Sequence, residues 1–127
     1  MYRIAVVEDD GAISELIAGY IQRYAEEHGL EVSTVCFSNG MDFLEKYRAN
    51  YDLVLMDIEM PVMDGMSTIK KLRAIDKNVL VVIITNLAQY AVNGYELGVF
   101  DFMVKPVGYY SLAMKLSRAF ETLGTIS

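Results

Sequence analysis

The 127 residues predict one α/β domain: a doubly wound parallel sheet of five strands with helices on both faces. Three features carry that expectation. Short β-rich apolar runs, nearly free of charge, recur along the chain, as strands covered on both faces require. Between them the apolar period changes to that of an amphipathic helix. The connections are too short for long crossings, so each strand–helix–strand unit closes as a right-handed crossover.

The elements follow in order. Residues 4–7 are uniformly small or apolar and read as a buried strand. Ile13, Leu16, Ile17, Tyr20, Ile21 and Tyr24 then mark one helix face, with Asp10 as the N-cap and with His28, followed by Gly29, at the C-terminal end. Residues 32–37 alternate as a weaker second strand, with Cys36 read as part of the core. Phe43, Leu44 and Tyr47 make a short helix after Ser38 and Asn39. Residues 53–56 form the third strand, and Asp64 caps a helix carrying Met66, Ile69, Leu72 and Ile75. Residues 79–84 form the fourth strand. A helix near residues 87–97 is the weakest, because Asn86, Asn93 and Gly94 leave no clean apolar stripe. Residues 99–104 are a fifth strand despite Asp101, and stop at Lys105 and Pro106, a pair that resists helix continuation. Leu112, Leu116, Ala119, Phe120 and Leu123 define the last helix, which ends close to Gly124, where a linker to a further domain would begin. The eight methionines read as core filler.

Lys plus Arg number 11 against 17 Asp plus Glu, a net charge of −6, so this domain has no electrostatic reason to grip nucleic acid or an anionic membrane. The longest aliphatic run, residues 79–84, is far short of the roughly 20 residues needed to cross a bilayer. A lone cysteine cannot form an internal disulfide, and the N-terminus lacks a signal-peptide core. Both point to a soluble protein in the cytoplasm.

In an open α/β sheet, ligands bind outside the carboxyl ends of the strands. Glu8, Asp9 and Asp10 follow the first apolar run, Asp57 the third, Thr85 the fourth and Lys105 the fifth. Singly, each has a bland account: Asp10 caps a helix, Thr85 can cap the next one, and Lys105 can be a solvated charge. Jointly they converge on one edge. Glu8, Asp9 and Asp57 beside a single ammonium leave uncompensated negative charge, which raises a carboxylate pKa or demands a cation. Oxygen-only ligands in a small acidic cleft suit Mg²⁺. Asp57 is then the expected nucleophile for a phosphoryl group, with Lys105 and the Thr85 hydroxyl holding its oxygens.

These residues resemble the receiver domains of two-component response regulators, which are CheY-like. The match lies in Glu8 and Asp9, in Met56, Asp57, Ile58, Glu59, Met60 and Pro61 through Asp64 and Gly65, and then in Thr85, Lys105 and Pro106. The motifs span the chain. The resemblance implies a flavodoxin-like (βα)5 fold with strand order 2-1-3-4-5, and a regulatory domain rather than an enzyme. It implies that Asp57 is phosphorylated from a phosphohistidine on a sensor histidine kinase. Mg²⁺ would be held by Glu8, Asp9, Asp57 and the backbone carbonyl of Glu59, and a cis bond would join Lys105 to Pro106. Thr85 and Phe102 match the family's switch pair. Asn86, where the family usually has alanine, and the Glu59 side chain are expected to affect the lifetime of the phosphorylated state. The stretch from Tyr90, Ala91, Gly94, Tyr95, Glu96, Gly98, Asp101 and Phe102 into Lys105 and Pro106 is similar to receivers attached to LytTR-type DNA-binding domains. That similarity implies an output domain after residue 127 through which DNA is bound. Related receivers pair through the surface made by the 87–97 helix, the fifth strand and the last helix. Tyr95, Tyr109 and Tyr110 are candidate anchors there, although tyrosines can equally be buried against the sheet. Three rivals stand beside this reading: a phosphohydrolase with an aspartyl nucleophile, an FMN protein whose phosphate Glu8, Asp9 and Asp10 would repel, and a receiver-shaped module that works without phosphorylation.

Overall fold

The computed structural model describes residues 1–86 and 96–124. Within them run β1 (Tyr2–Val7), α1 (Gly11–His28), β2 (Val32–Phe37), α2 (Gly40–Lys46), β3 (Leu53–Asp57), α3 (Gly65–Ile75), β4 (Leu80–Thr85), β5 (Asp101–Val104) and α4 (Tyr109–Thr122). The sheet is five-stranded and parallel, in the order β2-β1-β3-β4-β5. This is the doubly wound fold that the alternating periods predict. The helix expected near residues 87–97 falls mostly on residues 87–95, outside the described residues.

Successive strand residues point to opposite faces, so each strand feeds two cores. Ile4, Val6, Leu53, Leu55, Val82 and Ile84 pack beneath α1 and α4, joined by Ile17, Ile21, Leu116 and Phe120. Ala5, Val7, Val54, Met56, Val81 and Ile83 face α2 and α3, where Phe43, Ile69 and Leu72 cover them. All of β3 is buried, which is why its sequence is an unbroken apolar run up to Asp57.

The first three helix starts are fixed by the expected side chains. Asp10 accepts from the Ala12 and Ile13 amides, Asn39 from Asp42, and Asp64 from Ser67. At the end of α1 the Nδ1 of His28 lies 2.9 Å from the Tyr24 carbonyl, and Gly29 closes the helix at φ 63°. The limits of four strands shift by one or two residues: β3 runs on through Asp57, and β4 spans Leu80–Thr85 rather than residues 79–84. β1 begins at Tyr2 because its register with β2 starts at Tyr2 opposite Val32. β5 begins at Asp101 rather than residue 99, because Gly98 adopts φ 65° and the carbonyls of Leu97 and Gly98 are taken by Arg73 instead of the ladder.

Two core assignments are corrected. Cys36 is exposed, because β2 is an edge strand with only β1 beside it, and alternation alone does not separate an edge from a covered strand. The methionines divide: Met56, Met60 and Met103 are buried, whereas Met1, Met41 and Met114 are exposed.

Candidate functional site

The carboxyl ends of β1, β3, β4 and β5 deliver Glu8, Asp57, Thr85 and Lys105 to one edge of the sheet. Asp57 is the last residue of β3 and is 2% exposed; Glu8 is 3% exposed and Thr85 fully buried. Carboxylate oxygens of Glu8, Asp9 and Asp57 all lie within 4.8 Å of one another. The Lys105 ammonium donates to Glu8 Oε1 at 2.7 Å and stands 3.3 Å from Asp57 Oδ1. Neither Asp57 oxygen accepts a hydrogen bond.

Such a desolvated carboxylate resists ionisation. Burial, then the neighbouring Glu8, pushes Asp57 up to about 7. Glu8 moves the other way: burial is the largest single influence and would raise it, but the hydrogen bonds from Lys105 and the Asp10 amide, the neighbouring Asp57 carboxyl and the Lys105 charge together outweigh it and hold Glu8 below the ordinary value. In Lys105 the loss of hydration is likewise outweighed by the two carboxylates, and the ammonium is held above its usual range. One cation therefore serves three acids. Two buried acceptor oxygens with no donor, inside a cluster of three carboxylates, fit a hard divalent cation bound through oxygen.

Local sequence builds this edge. The turn after β3 passes through Pro61 and Val62 and returns to α3 at Gly65, whose amide donates to Ile58 O at 2.9 Å. A Cβ at Gly65 would lie 2.1 Å from the Asp57 carbonyl oxygen, so only glycine lets α3 start this close to the end of β3. Val62 carries φ 71°, a conformation that β-branched residues rarely adopt, and is almost wholly exposed. Sequence reasoning missed that strain, because nothing in the residue type announces it. On the other side, the bond between Lys105 and Pro106 is cis, and the Lys105 amide donates to Thr85 O at 2.8 Å.

The remaining residues take these places. Asp10 stands beside the cluster as the α1 cap, and its amide donates to Glu8 Oε2. The side chain of Glu59 is exposed on the loop after β3, and the carboxylate cluster does not include it. Asn86 is exposed and, with Ile13, Leu16, Lys105, Pro106 and Val107, lines a cleft of about 320 Å³ next to the acidic pocket. Phe102 is half-buried against the core under α2 and α3. Tyr109 is corrected from surface anchor to core: its ring is 9% exposed and packs under α1, with Arg23 stacked over it and its hydroxyl donating to Glu27. Tyr110 is 75% exposed, and Tyr95 lies outside the described residues. A larger cleft, about 690 Å³, opens at the opposite edge between Tyr51, Asp52, Asp76 and Asn78, away from the acidic pocket.

An acidic pocket answered by one lysine, at the carboxyl edge of a 2-1-3-4-5 sheet, defines a class of α/β domain. Residues 4–117 match the model of the response regulator receiver domain, and the chain belongs to that family, whose members are regulatory modules that partner with histidine kinases. Over 111 residues it is 37% identical to the chemotaxis protein CheY of Treponema pallidum, covering 84% of this chain and 74% of that protein. It is 30% identical to an uncharacterised response regulatory protein of Yersinia pestis, covering 93% of this chain and 48% of the relative. The response regulator TrrA of Thermotoga maritima, solved in complex with Mg²⁺-BeF, superposes with a TM-score of 0.77 at 31% identity, covering 94% of this chain and 99% of that one. Several curated relatives are much longer, and the chain spans as little as 26% of one of them. No helix among the described residues is long and apolar enough to cross a membrane.

Proposed function

We propose that this chain is a cytoplasmic phosphorylation switch in which Asp57 accepts a phosphoryl group from a phosphohistidine of a sensor histidine kinase. An Asp57 oxygen attacks phosphorus as the P–N bond breaks, the imidazole departs, and an acyl phosphate is left on Asp57. The observation that carries this reading is the Asp57 carboxylate, buried with both oxygens lacking a hydrogen-bond donor and a lysine ammonium 3.3 Å away. Mg²⁺ bound by Glu8, Asp9 and Asp57, with the Glu59 carbonyl as a further ligand, would neutralise charge on the transferred group. Lys105 supplies the fixed positive charge on the other side.

Once phosphorylated, Asp57 draws the Thr85 hydroxyl towards it, and Phe102, on the adjoining strand, follows. Register supports this coupling, since Thr85 pairs with Val104 and Ile83 with Phe102. Asn86 lines the cleft beside Lys105 and governs access to the acyl phosphate. Asn86→Ala is expected to change the dephosphorylation rate; an unchanged rate removes that role.

The output is proposed on the sequence alone. A LytTR-type DNA-binding domain after residue 127 is the reading of the stretch from Tyr90 to Pro106, and the sequence that follows in the gene product decides it. Pairing through the face of β5 and α4 is proposed on exposed Val104, Tyr110 and Met114.

Incubation with Mg²⁺ and a small phosphodonor tests the acceptor. Intact mass should show one added phosphoryl group, absent in Asp57→Asn. No addition from any donor, a histidine kinase included, would leave a module that works without phosphorylation.

A further inference from the structure

Arg73 stands in the last turn of α3, at the end of that helix away from Asp57. Its guanidinium is committed to main-chain carbonyls. Nε donates to Leu97 O at 2.8 Å, Nη2 to Gly98 O at 3.0 Å and Nη1 to Asp76 O at 3.2 Å. Asp76 is the C-cap of α3, so the fork ties the helix end to the chain that leads into β5. Leu97, Val99 and Phe100 also anchor that chain through side chains packed on the two cores, and Asp101 pairs with Lys115 and Arg118, whereas Arg73 holds its main chain ahead of the ladder. Gly98 sits at φ 65°, β5 has four residues with β4 as its one neighbour in the sheet, and contact with β4 begins where the Phe100 amide donates to Val81 O at 2.8 Å.

What β5 carries makes the tie consequential. The strand leads directly to Lys105, whose amide donates to Thr85 O and whose ammonium reaches Glu8 and Asp57. The other end of α3 abuts the same pocket, since Gly65 packs on the Asp57 carbonyl. One helix thus touches the backbone of Asp57 at its first residue and grips the lead into β5 at its last turn.

We propose that Arg73 is a positioning residue: by holding the carbonyls of Leu97 and Gly98 it fixes β5 along β4 and so sets the reach of Lys105 to Glu8 and Asp57. Lysine cannot replace it, because three guanidinium nitrogens in a rigid fork serve three carbonyls that one ammonium nitrogen cannot span. The consequence for phosphoryl transfer rests on the reading of Asp57 as acceptor; the hold on β5 does not.

Amide hydrogen exchange and phosphorylation kinetics of Arg73→Met and Arg73→Lys test the proposal. In Arg73→Met the amides of Phe100 and Lys105 should exchange about tenfold faster, as expected for lost charge-assisted hydrogen bonds, while Val6 and Leu55 in the central strands keep their protection. Arg73→Lys should fall between the two proteins. The rate of phosphoryl incorporation from a small donor should drop several-fold in Arg73→Met, because Lys105 is no longer held against Glu8 and Asp57. Unaltered exchange at Phe100 and Lys105 would overturn the proposal, as would equal acceleration in the central strands, which marks general destabilisation. Faster exchange at β5 with an unchanged phosphorylation rate would also overturn it. If the native protein takes up no phosphoryl group, the acceptor reading fails, and the exchange pattern still decides the hold on β5.

Discussion

Asp57 is costly to the metal-free domain, because burial and Glu8 raise its folded-state pKa to about 7 from an ordinary value of 3.8. A carboxyl group with a raised pKa holds more protons in the folded than in the unfolded chain. Its contribution to stability is therefore full below about pH 4 and is lost as pH rises through about 7. Asp57→Asn should remove that loss. In Mg²⁺-free chemical denaturation at pH 8 it should be more stable than the native domain by on the order of 4 kcal/mol, with the difference vanishing near pH 4. Val62 stores strain of another kind, at φ 71° with almost no packing to compensate. Val62→Gly should raise stability by about 1 kcal/mol, some 4 °C in Tm for a domain of this size, since glycine adopts that backbone at little steric cost. The acids, hydroxyl and lysine at the strand ends were legible from residue type and position. The strain at Val62 was not, because a positive φ belongs to the turn rather than to the residue.

Among the elements, α3 depends on what its first residues allow. The Cβ of Gly65→Ala would meet the backbone of Asp57 and Ile58 rather than a yielding side chain, so α3 or the end of β3 must shift. A loss of about 2 kcal/mol in urea denaturation is expected, with slower phosphoryl incorporation. Asp64→Ala, which removes only the cap to Ser67, should cost about 1 kcal/mol. Strands buried on both faces announced themselves as apolar runs, and the caps at Asp10, Asn39 and Asp64 were visible as residue types ahead of amphipathic stripes. The edge position of β2 was not visible, since Cys36 alternates like a core residue yet faces outward. Tyr109 and Tyr110 show the same limit: adjacent tyrosines at a helix start divide between core and surface according to which face α1 covers.

For the whole molecule, function is an assembly of distant segments: Glu8, Asp57 and Lys105 are separated along the chain and meet because parallel strands end on one edge. Topology was legible from the alternating periods, which is why the pocket could be anticipated. The reach of Arg73 across to Leu97 and Gly98 was not, because a lone arginine at a helix end carries no signal of its partner. Since Mg²⁺ would bind the folded state through these acids, Mg²⁺ at a hundred times its Kd should stabilise the native domain by about 2.7 kcal/mol, and Asp57→Asn by much less, as read by thermal melts. The most direct test of the central claim is the intact mass after incubation with Mg²⁺ and a small phosphodonor. One added phosphoryl group on the native chain and none on Asp57→Asn is the expected result; a native chain that gains nothing, or an Asp57→Asn chain that gains as much, would contradict it.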